Sequence, residues 1–572
     1  MSRRGTIGRR GFLRAAPAAL ASGLLARPAV GQSEVEPIPS SSIDGAEALS
    51  GLEFTPAERT MMQEGLERNR QRFQALREFD IPHDIEPAVT FRPKLLGRTP
   101  TGSATPNAPL SLPPPVSVSV SDSVEDLAFE SVWTLADLLK RRIVSSTALT
   151  RMYLDRLKRH GDTLKCVVTL TETLALQQAQ QADMEILQGR YRGPLHGVPW
   201  GAKDLLATKG IRTTWGAKPY EDQVIDLDAT VVERLRDAGA VLVAKLSMGA
   251  LAQGGVWFGG STRNPWNLER SSSGSSAGPG AATAAGLVGF SIGTETRGSI
   301  ISPSAACGVT GLRPTYGRVS RYGAMALSWT MDKIGPMCRS AEDCALVFNA
   351  IYGPDGRDET VVDAGFEWES DLSFAGLRIG YLREEFEVPS DNLSDEQRAQ
   401  WEAQRVSLAA ALEALRGVGA DLEPIQLPEF PSDSIGFVLT AEAAASFDDL
   451  TRSRGIDQLT SQSSRSWPNT FRTSRFIPAV EYIRAQRART LLMEKMEELM
   501  ADYDLFVSPS RSASLGITNL TGHPAIAVKA GFAEGMPVSL MFTGRLYDEA
   551  TILRAASAFE RATPWHTQHP TV

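Results

Sequence analysis

The stretch that decides the fold runs from Ser271 to Pro314: SSSGSSAGPGAATAAGLVGFSIGTETRGSIISPSAACGVTGLRP. Two serine-bearing loops of small residues, 273–278 and 293–299, flank a segment rich in alanine and glycine. Glycine has no Cβ, so the backbone amides of such loops can approach a substrate closely. A flexible Gly/Ser linker has a similar composition, but this cluster continues directly into apolar segments that a solvated linker lacks. The stretch therefore indicates a packed site.

A lysine precedes both loops. Lys203 ends the apolar segment GVPWGAK, 72 residues before Ser275. A serine hydroxyl can act as a nucleophile, and burial favours a neutral lysine that can serve as its base. Each residue also has an ordinary structural interpretation, an ion pair with Asp204 for Lys203 and a helix cap for Ser275. The two residues taken together, with their spacing, favour a serine–lysine catalytic site.

These motifs resemble those of the amidase signature family of serine hydrolases. The resemblance rests on GAKD around Lys203, on the pair Ser275–Ser276, on the loop GTETRGSI that contains Ser299, and on CGVTGLRPTYGRVSRYG from Cys307. It implies an α/β fold with a large mixed, mostly parallel central sheet surrounded by helices. We expect an enzyme that needs no cofactor and no metal.

The resemblance implies a role for each matching residue. Lys203, Ser275 in a cis peptide bond and Ser299 would form the catalytic triad, with Ser299, 24 residues after Ser275, as the nucleophile. The backbone N–H groups of the Ser299 loop would form the oxyanion hole, and a second serine would support the network. The expected oxyanion donors are Thr296, Arg297 and Gly298 together with Ser299, and the supporting serine is Ser276.

Three positions depart from the usual family pattern. Arg297 stands where glycine is usual, Ala277 replaces the first glycine after the serine pair, and Ile301 replaces an arginine that often follows S-I. Ile301 argues against a substrate carboxylate or a tRNA-type ligand being clamped from that position. At Arg297 we expect a negative φ, with the guanidinium at the pocket mouth or paired with an acid such as Glu295.

A rival interpretation makes Ser276 the nucleophile. Residues 274–278, GSSAG, match the G-x-S-x-G elbow of α/β-hydrolases. That motif requires a strand directly before it, whereas NPWNLERSSS predicts a loop. It also requires an acid and a histidine downstream, for which His523, His566 and His569 are available.

Other residues carry weaker signals. His196 in GPLHGVP is typical of a structural turn. Trp257, Phe258 and Trp266 lie between the lysine and serine motifs and suit either an apolar pocket wall or core packing. The histidines and cysteines show no metal-ligand spacing, and no P-loop motif occurs.

The chain is predicted to have three parts. Residues 125–572 alternate helices and strands, as expected for the amidase domain. Residues 32–124 are accessory, with an amphipathic helix at 56–77 and a proline-rich connector. In residues 1–31, RRGFLRA precedes a short apolar run and predicts a twin-arginine signal, although a basic tail has a similar composition.

The predicted location follows from that signal. Export by the twin-arginine route makes the protein periplasmic or secreted, and it argues against a tRNA substrate because tRNA amidation is cytoplasmic. The net charge of −8 also argues against nucleic acid as a partner. No apolar run outside the signal approaches the roughly 20 residues of a membrane span, so none is expected in the mature chain. The four cysteines are expected to be buried.

The sequence thus favours an amidohydrolase that cleaves a small-molecule carboxamide, or a related anilide, ester or carbamate, through a serine acyl-enzyme. A non-catalytic or partner-dependent subunit of the same fold is the alternative from another class, besides the esterase that uses Ser276. The sequence leaves both a monomer and a homodimer as alternatives.

Overall fold

The computed structural model describes residues 38–79, 88–89, 105–112, 114–115, 123–368, 374, 376–389 and 394–571. The predicted signal, 1–31, and most of the proline-rich connector lie outside these residues. The α-helices within them are α1 (Ser40–Ser50), α2 (Pro56–Glu78), α3 (Val132–Lys140), α4 (Ser146–Leu164), α5 (Glu172–Leu187), α6 (Thr230–Asp237), α7 (Ala277–Ala284), α8 (Ile301–Cys307), α9 (Ala341–Ile351), α10 (Arg383–Glu387), α11 (Asp395–Gly417), α12 (Phe437–Ser446), α13 (Asp448–Arg452), α14 (Trp467–Ser474), α15 (Ala479–Asp502), α16 (Ala513–Thr521) and α17 (Glu549–Ala562).

The strands form one large sheet and two small ribbons. They are β1 (Val167–Leu170), β2 (Pro199–Lys203), β3 (Val241–Leu246), β4 (Val256–Trp257), β5 (Gly260–Ser261), β6 (Arg263–Asn264), β7 (Asn267–Ser271), β8 (Phe290–Glu295), β9 (Thr310–Arg313), β10 (Lys333–Cys338), β11 (Ile379–Tyr381), β12 (Leu422–Pro424), β13 (Leu505–Pro509), β14 (Ala525–Ala533) and β15 (Met536–Gly544). The large sheet has 11 strands in the order β1-β3-β2-β8-β10-β9-β14-β15-β13-β11-β12, and β4-β5 and β6-β7 form the ribbons.

This architecture confirms the predicted α/β fold, a large mixed sheet with surrounding helices. The expectation that the sheet is mostly parallel is wrong. Four pairs of neighbouring strands are parallel: β2 with β3 and β8, and β11 with β12 and β13. The other six pairs are antiparallel. One cause is local: β14 and β15 are joined by Glu534 and Gly535, both with positive φ, and such a two-residue turn forces an antiparallel hairpin.

The parallel strands β3, β2 and β8 carry the predicted site. All residues of these three strands are buried, as expected for strands covered on both faces. The helix α7, which follows the serine pair, is also buried along its whole length. It lies against the end of β3 so closely that a Cβ on Gly278 would come within 2.5 Å of the Ser247 nitrogen. Small residues in this stretch therefore serve close packing as well as access for a substrate.

The accessory helix α2 packs onto the rest of the protein. Its N-terminus has a capping box, in which the Thr55 hydroxyl accepts from the Glu58 N–H and the Glu58 carboxylate accepts from the Thr55 N–H. Its apolar residues Phe73 and Leu76 belong to a buried cluster shared with α12, α15 and α16. The helix also contacts the turn Ser432–Ile435, which lies beside the candidate site.

The described residues bear on two predictions, one about the cysteines and one about membrane-spanning helices. Their four cysteines are all buried and unpaired. Within the described residues, no helix is both long enough and apolar enough to cross a membrane.

Candidate functional site

Lys203, the last residue of β2, lies at the centre of a hydrogen-bond network. Its side chain has no exposed surface. Nζ lies 2.9 Å from Ser275 Oγ, 2.9 Å from Ser276 Oγ and 2.8 Å from Thr294 Oγ1, and it donates to the Thr294 carbonyl at 3.2 Å. The structure therefore brings the lysine and both serines together, although they are more than 70 residues apart in the sequence.

Burial controls the charge of this lysine. Loss of hydration lowers the pKa of Lys203 to about 7, and the nearby carboxylates of Asp332 and Glu295 only partly oppose the shift. The neighbouring Asp204 is not its partner, because that carboxylate pairs with Lys245 at 3.1 Å with both side chains fully buried. The ion-pair interpretation of Lys203 is thus replaced by a network of hydroxyl groups.

The serine pair links the lysine to the loop that contains Ser299. The peptide bond between Gly274 and Ser275 is cis. The Ser276 hydroxyl donates to the Thr294 carbonyl and accepts from the Thr294 N–H, both at 3.1 Å. Its backbone N–H donates to the Ser299 carbonyl at 3.2 Å. Ser276 therefore fixes both ends of the loop relative to Lys203.

The loop 296–300 connects β8 to α8. Ser299 is 9% exposed. Gly298 has a φ of +90°, which suits glycine, whereas Arg297 is not among the residues with positive φ, as we expect. Within the part of the chain that the structure describes, the N–H groups of Arg297, Gly298 and Ser299 donate no hydrogen bond. The loop thus has unused amide donors next to a serine hydroxyl.

Glu295, which the sequence suggests only as an ion-pair partner of Arg297, supports this loop through its carboxylate. Its fully buried carboxylate accepts from the N–H groups of Ile300 and Ile301 at 2.8 and 2.9 Å. It also accepts from Arg313 at 2.9 Å and from Asn519 at 2.7 Å. Burial alone raises the pKa of Glu295, but Arg313 and the hydrogen bond from Ile301 outweigh it, so the pKa is lowered. A carboxylate therefore holds the two amides directly after Ser299.

We expect Glu295→Ala to lower the free energy of unfolding by roughly 3–5 kcal/mol, because the buried guanidinium of Arg313 loses its partner. Urea unfolding followed by circular dichroism measures this loss. As a control, Glu233→Ala breaks the partly exposed pair with Arg357 and should cost less than about 1 kcal/mol. Similar losses in the two variants would contradict the supporting role of Glu295.

The side chain of Arg297 does not pair with Glu295. Its guanidinium reaches the turn Ser432–Ile435, where Nη2 lies 3.7 Å from Asp433 Oδ1. The Arg297 and Asp433 side chains are 42% and 96% exposed, so this ion pair contributes at most about 1 kcal/mol. The acceptor is 136 residues away in the sequence and is carried by the turn that α2 contacts, which is why the sequence did not indicate it.

We expect Arg297→Gly to lower kcat/KM for a small neutral amide by less than about tenfold, because the backbone donor survives the change. Steady-state hydrolysis of acetanilide compared with wild type measures this effect. Complete loss of activity in a folded protein would show that the guanidinium itself takes part in the reaction.

A second carboxylate faces the network from the start of β10. Asp332 directly precedes this strand, is partly buried and accepts from the Thr296 hydroxyl at 2.5 Å. The N–H groups of Leu327 and Ser328 donate to its other oxygen at 2.8 and 2.9 Å. Burial raises the pKa of Asp332, and these hydrogen bonds partly offset the rise. Asp332 thus orients Thr296, and no local motif pointed to it.

A cavity of about 430 Å³ reaches this part of the site. Thr294, Thr296 and Asp332 line one side of it, and its apolar wall includes Met325 and Leu327. A larger cavity of about 650 Å³ is lined by Trp266, His566 and His569, but not by Lys203, the serine pair or the loop 296–300. Among the predicted site residues Thr296 lines the smaller cavity, whereas Lys203 and Ser299 do not, and its volume is within the range of small-molecule pockets.

Ser276 does not have the setting of a nucleophile elbow. A strand, β7, precedes the serine pair, whereas the sequence predicts a loop there. The prediction missed this strand because its residues are exposed, pair with β6 in a ribbon and show no apolar pattern. That ribbon is separate from the large sheet. The Ser276 side chain has no exposed surface, and its described hydrogen-bond partners are Lys203 and Thr294. His523 is likewise buried, which lowers its pKa to about 3.

The other residues singled out in the sequence have structural contacts. The Trp257 indole donates to the Lys165 carbonyl, and the Trp266 indole donates to the Cys307 carbonyl. Phe258 packs edge-on against Trp257 at 4.9 Å. His196 lies in a turn and accepts from the Arg192 N–H at 3.1 Å. In the described residues, no group of three or more His, Cys, Asp or Glu side chains could hold a metal ion.

The fold and the site define a class of α/β protein in which a buried lysine contacts a serine pair beside a loop of free amides. Residues 148–516 match the sequence profile of the Amidase family. The chain therefore belongs to the amidase family, and the resemblance drawn from the motifs is confirmed.

The proteins to which this chain is similar are named for different activities or assemblies. A glutamyl-tRNA(Gln) amidotransferase subunit from Roseiflexus sp. (strain RS-1) is 36% identical over 486 residues, which cover 76% of this chain and 98% of the relative. The structure of native peptide amidase from Stenotrophomonas maltophilia has 29% identity and a TM-score of 0.66, covering 77% of this chain and 98% of that one. A chain from a vestigial protein complex, described as revealing the origins of an s-triazine catabolic enzyme, has 27% identity and a TM-score of 0.68, with coverage of 76% and 98%.

These relatives contradict the prediction of a periplasmic or secreted protein. Export and tRNA amidation exclude each other, because tRNA amidation is cytoplasmic, and the relatives are named for glutamyl-tRNA(Gln) amidotransferase. The predicted twin-arginine signal lies outside the described residues. The prediction of export is therefore wrong, because two arginines before a short apolar run are too brief a pattern to define a signal.

Proposed function

We propose that this chain breaks a carboxamide through an acyl-enzyme on Ser299. The single observation that carries the proposal is the environment of Lys203, a fully buried amine whose contacts are hydroxyl and carbonyl groups and whose pKa is lowered to about 7. A structural lysine in such a place needs a carboxylate partner, whereas a catalytic base needs this neutral form.

The proposed reaction begins at the Ser299 hydroxyl. Its oxygen attacks the amide carbon while its proton passes through Ser275 to Lys203, since a hydroxyl can donate and accept at once. The N–H groups of Arg297, Gly298 and Ser299 stabilise the oxyanion, at about 2.7–4 kcal/mol for a donor of this kind. The C–N bond then breaks, and the leaving amine takes the proton back by the same route. Water attacks the ester next, the bond from Ser299 Oγ to the acyl carbon breaks, and the carboxylic acid and the Ser299 hydroxyl are released.

The residues near Ser299 support a small substrate. Ile301, where an arginine is often found in the family, is fully buried in a cluster with Ala525, Ala527 and Met541. It therefore offers no charge to a substrate. The cavity beside Thr296 and Asp332 has room for an acyl or aryl group. These features favour a small-molecule amide, anilide or carbamate.

A second candidate function has the same chemistry within a complex. The relatives named as amidotransferase subunits have 36% identity to this chain over most of its length, which supports a partner-dependent role. In that case the chain alone would react with an acylating probe but turn over little amide.

A hydrolysis screen with the purified chain separates the two functions. Aliphatic amides, anilides and carbamates are supplied, and the released amine is measured. Turnover by the isolated chain supports the hydrolase. Labelling of Ser299 by a fluorophosphonate without turnover supports the partner-dependent role, and the absence of both contradicts the proposed chemistry.

A further inference from the structure

Arg297 presents its guanidinium at the edge of the loop that contains Ser299. The guanidinium lies over the backbone of two glycines, where a Cβ on Gly436 or Gly516 would come within 3.3 or 3.4 Å of its nitrogens. Its nearest carboxylate oxygen, on Asp433, is 3.7 Å away, beyond a good hydrogen bond. The planar donor group therefore keeps most of its hydrogen-bonding capacity.

A second arginine, Arg72, lies on the accessory helix α2, which packs against the turn that carries Asp433. The helix contacts the turn Ser432–Ile435, and Phe73 packs edge-on against Phe437 with ring centroids 5.2 Å apart. Arg72, next to Phe73, is half-buried and has no hydrogen bond or ion pair with any described residue. Burial lowers the pKa of Arg72, the charges of Arg68 and Arg297 lower it further, and Asp433 opposes them.

The charges around these two arginines do not balance. Arg68 already pairs with Glu64 at 2.8 Å. In the described part of the chain, Asp433 is the carboxylate that acts on both Arg72 and Arg297, and its side chain is 96% exposed. A single solvated carboxylate thus lies near both guanidiniums, on the turn that α2 contacts, in a chain whose net charge is −8.

We propose that Arg72 and Arg297 form a binding subsite for an anionic group of the substrate, a carboxylate above all. The inference rests on the proposed function, because it places the subsite beside the reacting amide. Arginine presents planar paired donors that match a carboxylate, and two arginines gain more from a bound anion than from one exposed surface carboxylate. The subsite joins a residue of the catalytic loop to a residue of α2, which lies outside the matched family region 148–516.

Binding to a Ser299→Ala variant tests the subsite without turnover. Isothermal titration calorimetry compares two matched pairs of anilides: valeranilide with glutaric acid monoanilide, and acetanilide with 4-acetamidobenzoate. We expect at least one charged member to bind about tenfold or more tightly than its neutral partner. Adding either Arg72→Gln or Arg297→Gln to the Ser299→Ala variant should remove most of the preference for the charged anilide. A higher salt concentration should also weaken that preference.

A matched control removes a charge elsewhere on α2. Arg77→Gln breaks a pair with Glu481 at the C-terminal end of the helix and should leave the preference intact. Charged anilides that bind no better than neutral ones would overturn the subsite. So would a preference that survives both Arg72→Gln and Arg297→Gln. Turnover of any of these anilides by wild type tests the proposed function separately, because the binding experiment does not depend on it.

Discussion

Ser299→Ala is expected to lower kcat/KM for any amide substrate by at least about 10⁴-fold, because it removes the atom that forms the acyl-enzyme. The fold should be unaffected, since the hydrogen bond from Ser276 goes to the Ser299 carbonyl, which the variant keeps. Amine release under steady-state conditions measures the change.

Ser276→Ala is the matched control for that prediction. It removes a buried hydroxyl that contacts Lys203 and Thr294, so we expect partial loss of activity rather than complete loss. If Ser276→Ala eliminated turnover while Ser299→Ala retained it, the nucleophile elbow interpretation would be correct.

Lys203→Met should also leave a folded but almost inactive protein, because no other described group is placed to take the proton from Ser275. Methionine fills a similar volume without a base. In the wild-type protein, the Lys203 pKa of about 7 determines how kcat/KM depends on pH. The active form is neutral, so kcat/KM should rise with pH through about 7 and fall on the acid side.

The control for the pH profile is Lys245→Met. Lys245 is equally buried but pairs with Asp204, so its removal should affect stability rather than the acid limb. A wild-type acid limb near the free-lysine value of about 10.4 would contradict a neutral Lys203.

The local parts of this site could be predicted from the sequence, and the distant parts could not. Lys203, the serine pair and the Ser299 loop lie in short motifs whose small residues indicate close backbone packing. Their supports, Asp332 and Arg313, are brought in by strands β10 and β9, and no spacing rule connects them to the motifs. The same holds for Asp433, which reaches Arg297 only through the turn that packs on α2.

The errors in the predicted fold have a similar origin. Helix–strand alternation indicated an α/β protein correctly, and the helix predicted at 56–77 is observed as α2. Strand direction depends on which strands become neighbours, as with β9 between β10 and β14. That choice is made by packing over long distances, so the sequence did not reveal that most of the pairs are antiparallel.

The site of covalent modification tests the central claim most directly. The wild-type chain is treated with a fluorophosphonate, digested and mapped by mass spectrometry. We predict a single adduct on the peptide that contains Ser299, which is absent from Ser299→Ala and forms much more slowly in Lys203→Met. An adduct on Ser276, or labelling that is as fast without Lys203 as with it, would contradict the account.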